Sequence, residues 1–428
     1  MKKLILIATA ALFTACQNDH LEGSSSSFEM KQTLAEYITA SSLPVTPVSG
    51  QITSNTTWSG IIEIDGIVTV KNGATLTILP GTYIKAKPKD TAAPTGLLVI
   101  TKTGKINAVG TETQPIVFTS YRLLDGDENT TPQTGDFAGV ILLGDAPTNT
   151  PSTTTIDGLF GSDYYYGGGN QDHNGGIMKY VRIEFGGSDI LPQVIHEITS
   201  LTLAGVGKGT ILDHIQVSYG KDDSFEFFGG NVNATNLISF APDDDNFDFN
   251  TGYTGTITCA LALADYNSIH SLSGSVYDSN GIELDNNPTG TATSLITHPI
   301  INNLTIVGTP KAAFGTMYGK GIYIRRNGKL TINNAVVTGY PTGIKVEGTG
   351  SELSSSSDYS SIKIHGFDLA ATGTGTASIP AGNLLTGTTA SLWGMSQPYF
   401  NEGPWNVSPR NCGSFQGSWT KYDFSILE

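Results

Sequence analysis

Short apolar runs, stopped by glycine or by acidic turns, recur along most of this chain. The clearest lie between Leu201 and Leu284. There Asp222-Asp223-Ser224-Phe225-Glu226-Phe227 returns 22 residues later as Asp244-Asp245-Asn246-Phe247-Asp248-Phe249. A second series, Ile215, Leu237 and Cys259, keeps the same 22-residue spacing within other apolar runs. Two strand patterns recurring in phase at one interval mark a coil that closes one turn per repeat. Stacking then places residues one repeat apart over one another. Phe225 over Phe247 and Phe227 over Phe249 form inward ladders, while Glu226, Asp248 and Glu283 form an outward column that ends at Tyr323 and Lys345.

The rhythm reaches well beyond this stretch. From Trp58 onward, Ile62-Glu63-Ile64, Val68-Thr69-Val70, Leu76-Thr77-Ile78 and Tyr83-Ile84 are β-branched runs divided by Asp65-Gly66, Asn72-Gly73 and Pro80-Gly81. Later, Gly281-Ile282-Glu283-Leu284, Gly321-Ile322-Tyr323-Ile324 and Gly343-Ile344-Lys345-Val346 repeat the form of the Phe225 run. Residues 145–176 are too long and polar for a turn and read as an insertion off one face. Shorter insertions fall near 265–280 and 287–299. The segments at 70–82, 104–120 and 135–144 resemble the opening coils of right-handed parallel β-helix proteins. The expected fold is all-β: a single-domain right-handed parallel β-helix of about 10 to 13 coils, roughly 50 to 60 Å long.

The ends read differently. Met1-Lys2-Lys3, the apolar Leu4 to Leu12 and Phe13-Thr14-Ala15-Cys16 form a secretory leader too short to span a bilayer. Its close resembles the lipobox of bacterial lipoproteins, which implies cleavage before Cys16, lipidation there and a membrane anchor at the bacterial outer membrane or cell surface. The expected division is a signal peptide at 1–15, a polar tether at 16–27, an N-terminal cap at 28–54, the β-helix at 55–390 and an irregular C-terminal cap at 391–428. In the N-terminal cap, Met30, Leu34, Tyr37 and Ile38 have helical spacing, suited to covering the open end of the solenoid. Cys259 shares the phase of Ile215 and Leu237, which points it inward as a buried thiol. Pairing of Cys259 with Cys412 stays open in an oxidising compartment.

Composition supports this frame. Glycine is abundant at 51 residues and charged residues make up only 14%, a balance of short strands and many turns. The formal charge of −15 argues against nucleic acid as a partner and suits a solvated exterior or cation binding. A monomer is expected.

Candidate chemistry centres on the acids. Asp222 and Asp223 fall above Asp244 and Asp245, with Asp243 beside them. Carboxylates about 4.8 Å apart repel by roughly 3 to 4 kcal/mol at an effective dielectric near 20. They must splay into solvent, share protons or take a cation. Ca2+, a hard ion with oxygen ligands, fits Asp223, Asp244, Asp245, Asp248, Glu226 and Glu283; acidic turn residues solvated in Asx turns are the plainer reading. Pectate-lyase-like enzymes on this scaffold combine acidic calcium ligands with a Lys or Arg base, and pectin-hydrolysing relatives use close Asp residues. Gly220-Lys221-Asp222-Asp223 resembles the paired-Asp motif of the latter. That resemblance makes Asp222, Asp223, Asp244 and Asp245 candidate catalytic residues with Arg325 as basic partner, although no histidine-glycine motif follows. Tyr164, Tyr165 and Tyr166, flanked by glycines, could stack on sugar rings or fold back on the helix flank. No zinc-like histidine spacing and no phosphate-binding loop occurs.

Residues 200–249 resemble a recurrent block in surface lipoproteins of the Bacteroidetes type. The expectation is therefore a lipid-anchored envelope protein, a non-catalytic glycan-binding, adhesive or structural rod. The alternative is a calcium-dependent polysaccharide lyase or glycosidase.

Overall fold

A computed structural model describes residues 35–88, 96–188, 198–265, 270–273, 275–391, 393, 411–413, 415 and 417–422. The leader, Cys16 and the tether lie outside the described residues, as do His20 and His196.

Apolar side chains alternating with polar ones drive the runs into strands, and the strands of the main system find their partners one coil away, whereas Leu272–Ser273 and Val276–Tyr277 in the insertion pair antiparallel with each other. The result is one continuous 23-stranded system with parallel register throughout its major ladders. It is a right-handed parallel β-helix. Three sheets run its length. The first includes Tyr83–Ala86, Ile116–Thr119 and the later halves of Gly176–Glu184, Ile211–Ser218, Ala234–Phe240, Thr256–Leu263 and Ile300–Val307. The second includes Leu97–Ile100, Gly139–Leu143, Leu201–Ala204, Phe225–Phe228, Phe247–Asn250, Ile282–Asp285 and Lys320–Arg325. The third holds Thr75–Ile78, Lys105–Val109 and the earlier halves of the long strands.

The long strands bend between the third and first sheets at a column of left-handed residues. Tyr180, His214, Asn236, Cys259, Asn303 and Asn334 all have φ between 52° and 64°. Asparagine tolerates that region best, and its amide stacks along the column: Asn334 Nδ2 donates to Asn303 Oδ1 at 2.7 Å. Inside, Phe225 stacks on Phe247 with ring centroids 5.1 Å apart, and Phe227 on Phe249 at 5.0 Å, as the repeat requires.

This column corrects the reading of Cys259. Ile215 does pair with Leu237, but Leu237 pairs with Ala260. The coil is one residue longer there, so Cys259 falls on the bend, opposite Asn236 and Asn303. It points outward and forms a disulfide with Cys412, with Cα atoms 5.9 Å apart. It is not a buried free thiol.

The ends also differ from expectation. Val45–Ile52, inside the stretch assigned to the N-terminal cap, already pairs in parallel with Ile61–Val70 as the first coil. The helical residues 35–40 do not lie over the open end but along the outer face of the first sheet. Tyr37 is fully buried there and donates to Glu184 Oε2 at 2.7 Å. The physical reason is that this sheet is apolar on both faces, and Ile238, Phe240, Leu261 and Leu263 need cover. Beneath Tyr37, the buried Arg182 is paired with Glu184 at 2.8 Å and Glu36 at 2.5 Å. A charge so enclosed is tolerable only with such partners.

Candidate functional site

The outer face of the second sheet is the floor of a groove. Register places Glu226, Asp248, Glu283, Tyr323 and Lys345 one above another along it, the column expected from the repeat, and adds Thr202 at its start. Turns entering the sheet, which carry Asp222, Asp223, Asp244 and Asp245, form one wall. Turns leaving it, including residues 145–175, form the other. Between them a cleft of about 490 Å³ is lined by Tyr166, Thr199, Thr202, Asp223, Glu226 and Phe228, among others.

The carboxylates converge in two groups that share Asp223. Ligand oxygens of Asp222, Asp223 and Asp244 lie within 4.8 Å of one another, and so do those of Asp223, Glu226 and Asp248. The walls fix several of them. Asp223 Oδ1 accepts from the Asp245 N–H at 2.9 Å, Asp245 Oδ1 from the Asn280 N–H at 2.5 Å and Asp244 Oδ1 from Ser271 Oγ at 2.5 Å. On the floor, Thr199 Oγ1 donates to Glu226 Oε2 at 2.7 Å, and Asn250 Nδ2 spans Glu226 at 3.2 Å and Asp248 at 3.3 Å.

Burial and mutual repulsion raise every one of these acids that shifts. Burial, then Asp222, pushes Asp223 well above the carboxylate range. Burial, then Asp248, does the same to Glu226, and burial with Asp244 and Asp248 to Asp245. Asp244 rises to about 8 and Asp248 to about 7, burial leading in both. Asp248 Oδ1, Asn250 Oδ1 and the hydroxyls of Thr251 and Thr202 are buried here without a hydrogen-bond partner, Thr202 being only 1% exposed. Thr202 stands directly beside Glu226 in the ladder.

Arg325 lies farther along the same column and is already engaged. It pairs with Asp285 at 3.1 Å, with Glu283 and, at 3.9 Å, with Asp278, while Arg326 pairs with Asp285 at 2.6 Å. A second cleft of about 430 Å³, lined by Tyr323, Arg325, Arg326, Asn327 and Glu347, opens there. The tyrosine run lies down on the solenoid. Tyr164 shares a 3.1 Å hydrogen bond with Thr69, Tyr165 is half-buried, and Tyr166 is buried against Phe228 with centroids 6.1 Å apart. Of the three, Tyr166 lines the cleft.

Sequence reasoning brought the acids together but passed over Thr199, Thr202, Asn250 and Phe228. A signal for Thr202 was present, because Leu201-Thr202-Leu203 has the same phase as Phe225-Glu226-Phe227.

Fold and groove together define a parallel β-helix with an elongated, acid-lined face. The chain belongs to the family described as the pectate-lyase-like β-helix domain, which matches residues 50–389. Among solved structures it is similar to the Dettilon tailspike protein, at 14% identity and a TM-score of 0.21, over 78% of this chain and 66% of that one. No curated protein matches.

Proposed function

We propose that this protein is a lipid-anchored cell-envelope β-helix that binds a glycan along the groove without cleaving it, with calcium at the carboxylate cluster. The observation that carries the reading is the presence of unpartnered oxygens, Thr202 Oγ1 and Asp248 Oδ1 among them, beside the Asp223–Glu226–Asp248 triad in a cleft walled by Tyr166 and Phe228. Oxygen donors of this kind fit a hard cation, and Asp223, Glu226 and Asp248 would hold it. A bound divalent ion would neutralise carboxylates that burial otherwise disfavours and would offer its remaining positions to sugar hydroxyls or carboxylates. Rings and hydroxyls at the cleft wall suit a sugar's mixed surface. Engagement of Arg325 by Glu283 and Asp285 favours binding over lysis, since the candidate base is already held in ion pairs.

A second reading rests on Glu226 and Asp248. They are adjacent carboxylates on successive strands with raised proton affinity, as an acid/base pair requires. Calorimetry against neutral and acidic polysaccharides, with calcium or with chelator, combined with product analysis, separates the two. The expected result is calcium-dependent binding with no new chain ends, lost in the Asp223→Asn/Asp248→Asn double variant. Release of oligosaccharides that this variant abolishes establishes the enzyme instead. Absence of binding to every polysaccharide tested overturns both.

A further inference from the structure

The outer face of the first sheet carries a separate assembly. Phe185, Ile238, Phe240, Leu261, Leu263 and Val307 are all buried in it, under the two ends of the chain. From the C-terminal side, Trp419 lies edge-on to His214 at 5.0 Å and Tyr422 edge-on to Phe240 at 5.7 Å, with Phe415 against Trp419. From the N-terminal side, Tyr37 packs edge-on to Tyr83 at 6.4 Å over the Arg182–Glu184 pair. Lys421 joins the two. Its N–H donates to Gln216 Oε1 at 2.8 Å, and its ammonium lies 5.3 Å from the Tyr37 ring centroid.

We propose that the two chain ends form one clasp latched by the Cys259–Cys412 disulfide, so that the redox state of this bond is felt at the N-terminal helix. Among the described residues of 411–422 there is no helix or strand. Burying three aromatic rings does not by itself offset the entropy of ordering about a dozen residues, so docking depends on the covalent tie. The tie closes when an external disulfide accepts the two electrons of the Cys259 and Cys412 thiols by exchange, leaving as a dithiol with their two protons. A dithiol reductant reverses it. On release, Trp419 and Tyr422 leave the sheet, Lys421 leaves Tyr37, and helical residues 35–40 lose one side of their seat. The bond forms in the same oxidising compartments in which a secreted chain would reside, so the clasp closes only after export.

The test is hydrogen exchange on the full chain, oxidised and after dithiothreitol treatment of the folded protein. Reduction is expected to lower protection of residues 36–40 by roughly tenfold or more while strands 234–240 and 256–263 stay protected. Lys421→Ala with the disulfide intact is expected to loosen 36–40 and leave Trp419 buried by fluorescence. Unchanged protection of 36–40 after reduction overturns the proposal, as does loss of the strands themselves, which would make the bond a brace for the whole rod. Reducing the folded wild-type chain keeps the test independent of whether a cysteine variant folds.

Discussion

Asp248 holds one oxygen against Asn250 and the other against nothing. Such a carboxylate keeps its proton in the folded chain long after an unfolded chain has released it. With Asp244 raised to about 8 and Asp248 to about 7, against an ordinary value of 3.8, the folded state binds more protons between about pH 4 and 8. The slope of stability with pH is set by protons bound unfolded minus folded, which is negative in this window. In chelator, therefore, the melting temperature should fall as pH rises through that range. Asp248→Asn should flatten the fall, and calcium should oppose it by replacing the protons. Thermal melts from about pH 5 to pH 8 check this, and a melting temperature that rises with pH in chelator would refute it. At this scale the acids were legible because their spacing repeats. Their partners were not: Thr199 and Asn250 reach Glu226 from different coils, and a buried unpaired hydroxyl has no signature in a sequence.

The strand is where reading by phase succeeds and where it slips. Phe225 and Phe247 kept their register because the turn between them has no extra residue, so inward positions stay inward. Between Leu237 and Ala260 the coil gains one, and a slip of one residue turns an inward cysteine into an outward one. The bend that absorbs it is a left-handed position. Asn236, Asn303 and Asn334 mark it in the sequence, yet Tyr180, His214 and Cys259 occupy it as well, which hides the column. Side-chain type at this bend has an energetic consequence. Asn334→Ala should lose the amide bond to Asn303 and add backbone strain, destabilising by about 1 to 3 kcal/mol in denaturant unfolding. Asn334→Gly, which relieves the strain but not the lost bond, should cost less. Equal losses in the two variants would show that the bend itself is unstrained. The docking of the terminal segments on the first sheet escaped prediction for a related reason. Val-Arg-Ile-Glu at 181–184 reads as a strand with a solvent face, and only a covering helix makes Arg182 fully buried.

Along the whole molecule, stacking turns a local pattern into a ruled surface. The column from Thr202 through Glu226, Asp248, Glu283 and Tyr323 to Lys345 advances by one coil at each step. Five steps at about 4.8 Å separate its ends by about 24 Å, whereas one strand of the floor, four residues wide, measures only about 13 Å across. The column is acidic at Glu226 and Asp248 and ends at Lys345 and the Arg326 cleft, so the two ends of a bound polymer meet different charge. A glycan lying along the rod would therefore gain affinity with each added sugar until it spans the column, and then gain nothing further. One lying along a single strand, across the rod, would level off at about half that length. Calorimetry with an oligosaccharide length series of whichever polysaccharide binds reads the difference directly. Lys345→Ala supplies the internal check, because it should weaken long oligomers several-fold and leave the shortest binders unchanged. An affinity that levels off at the shorter span, with Lys345→Ala silent at every length, would place the ligand across the acid cleft and leave the rest of the column to stability.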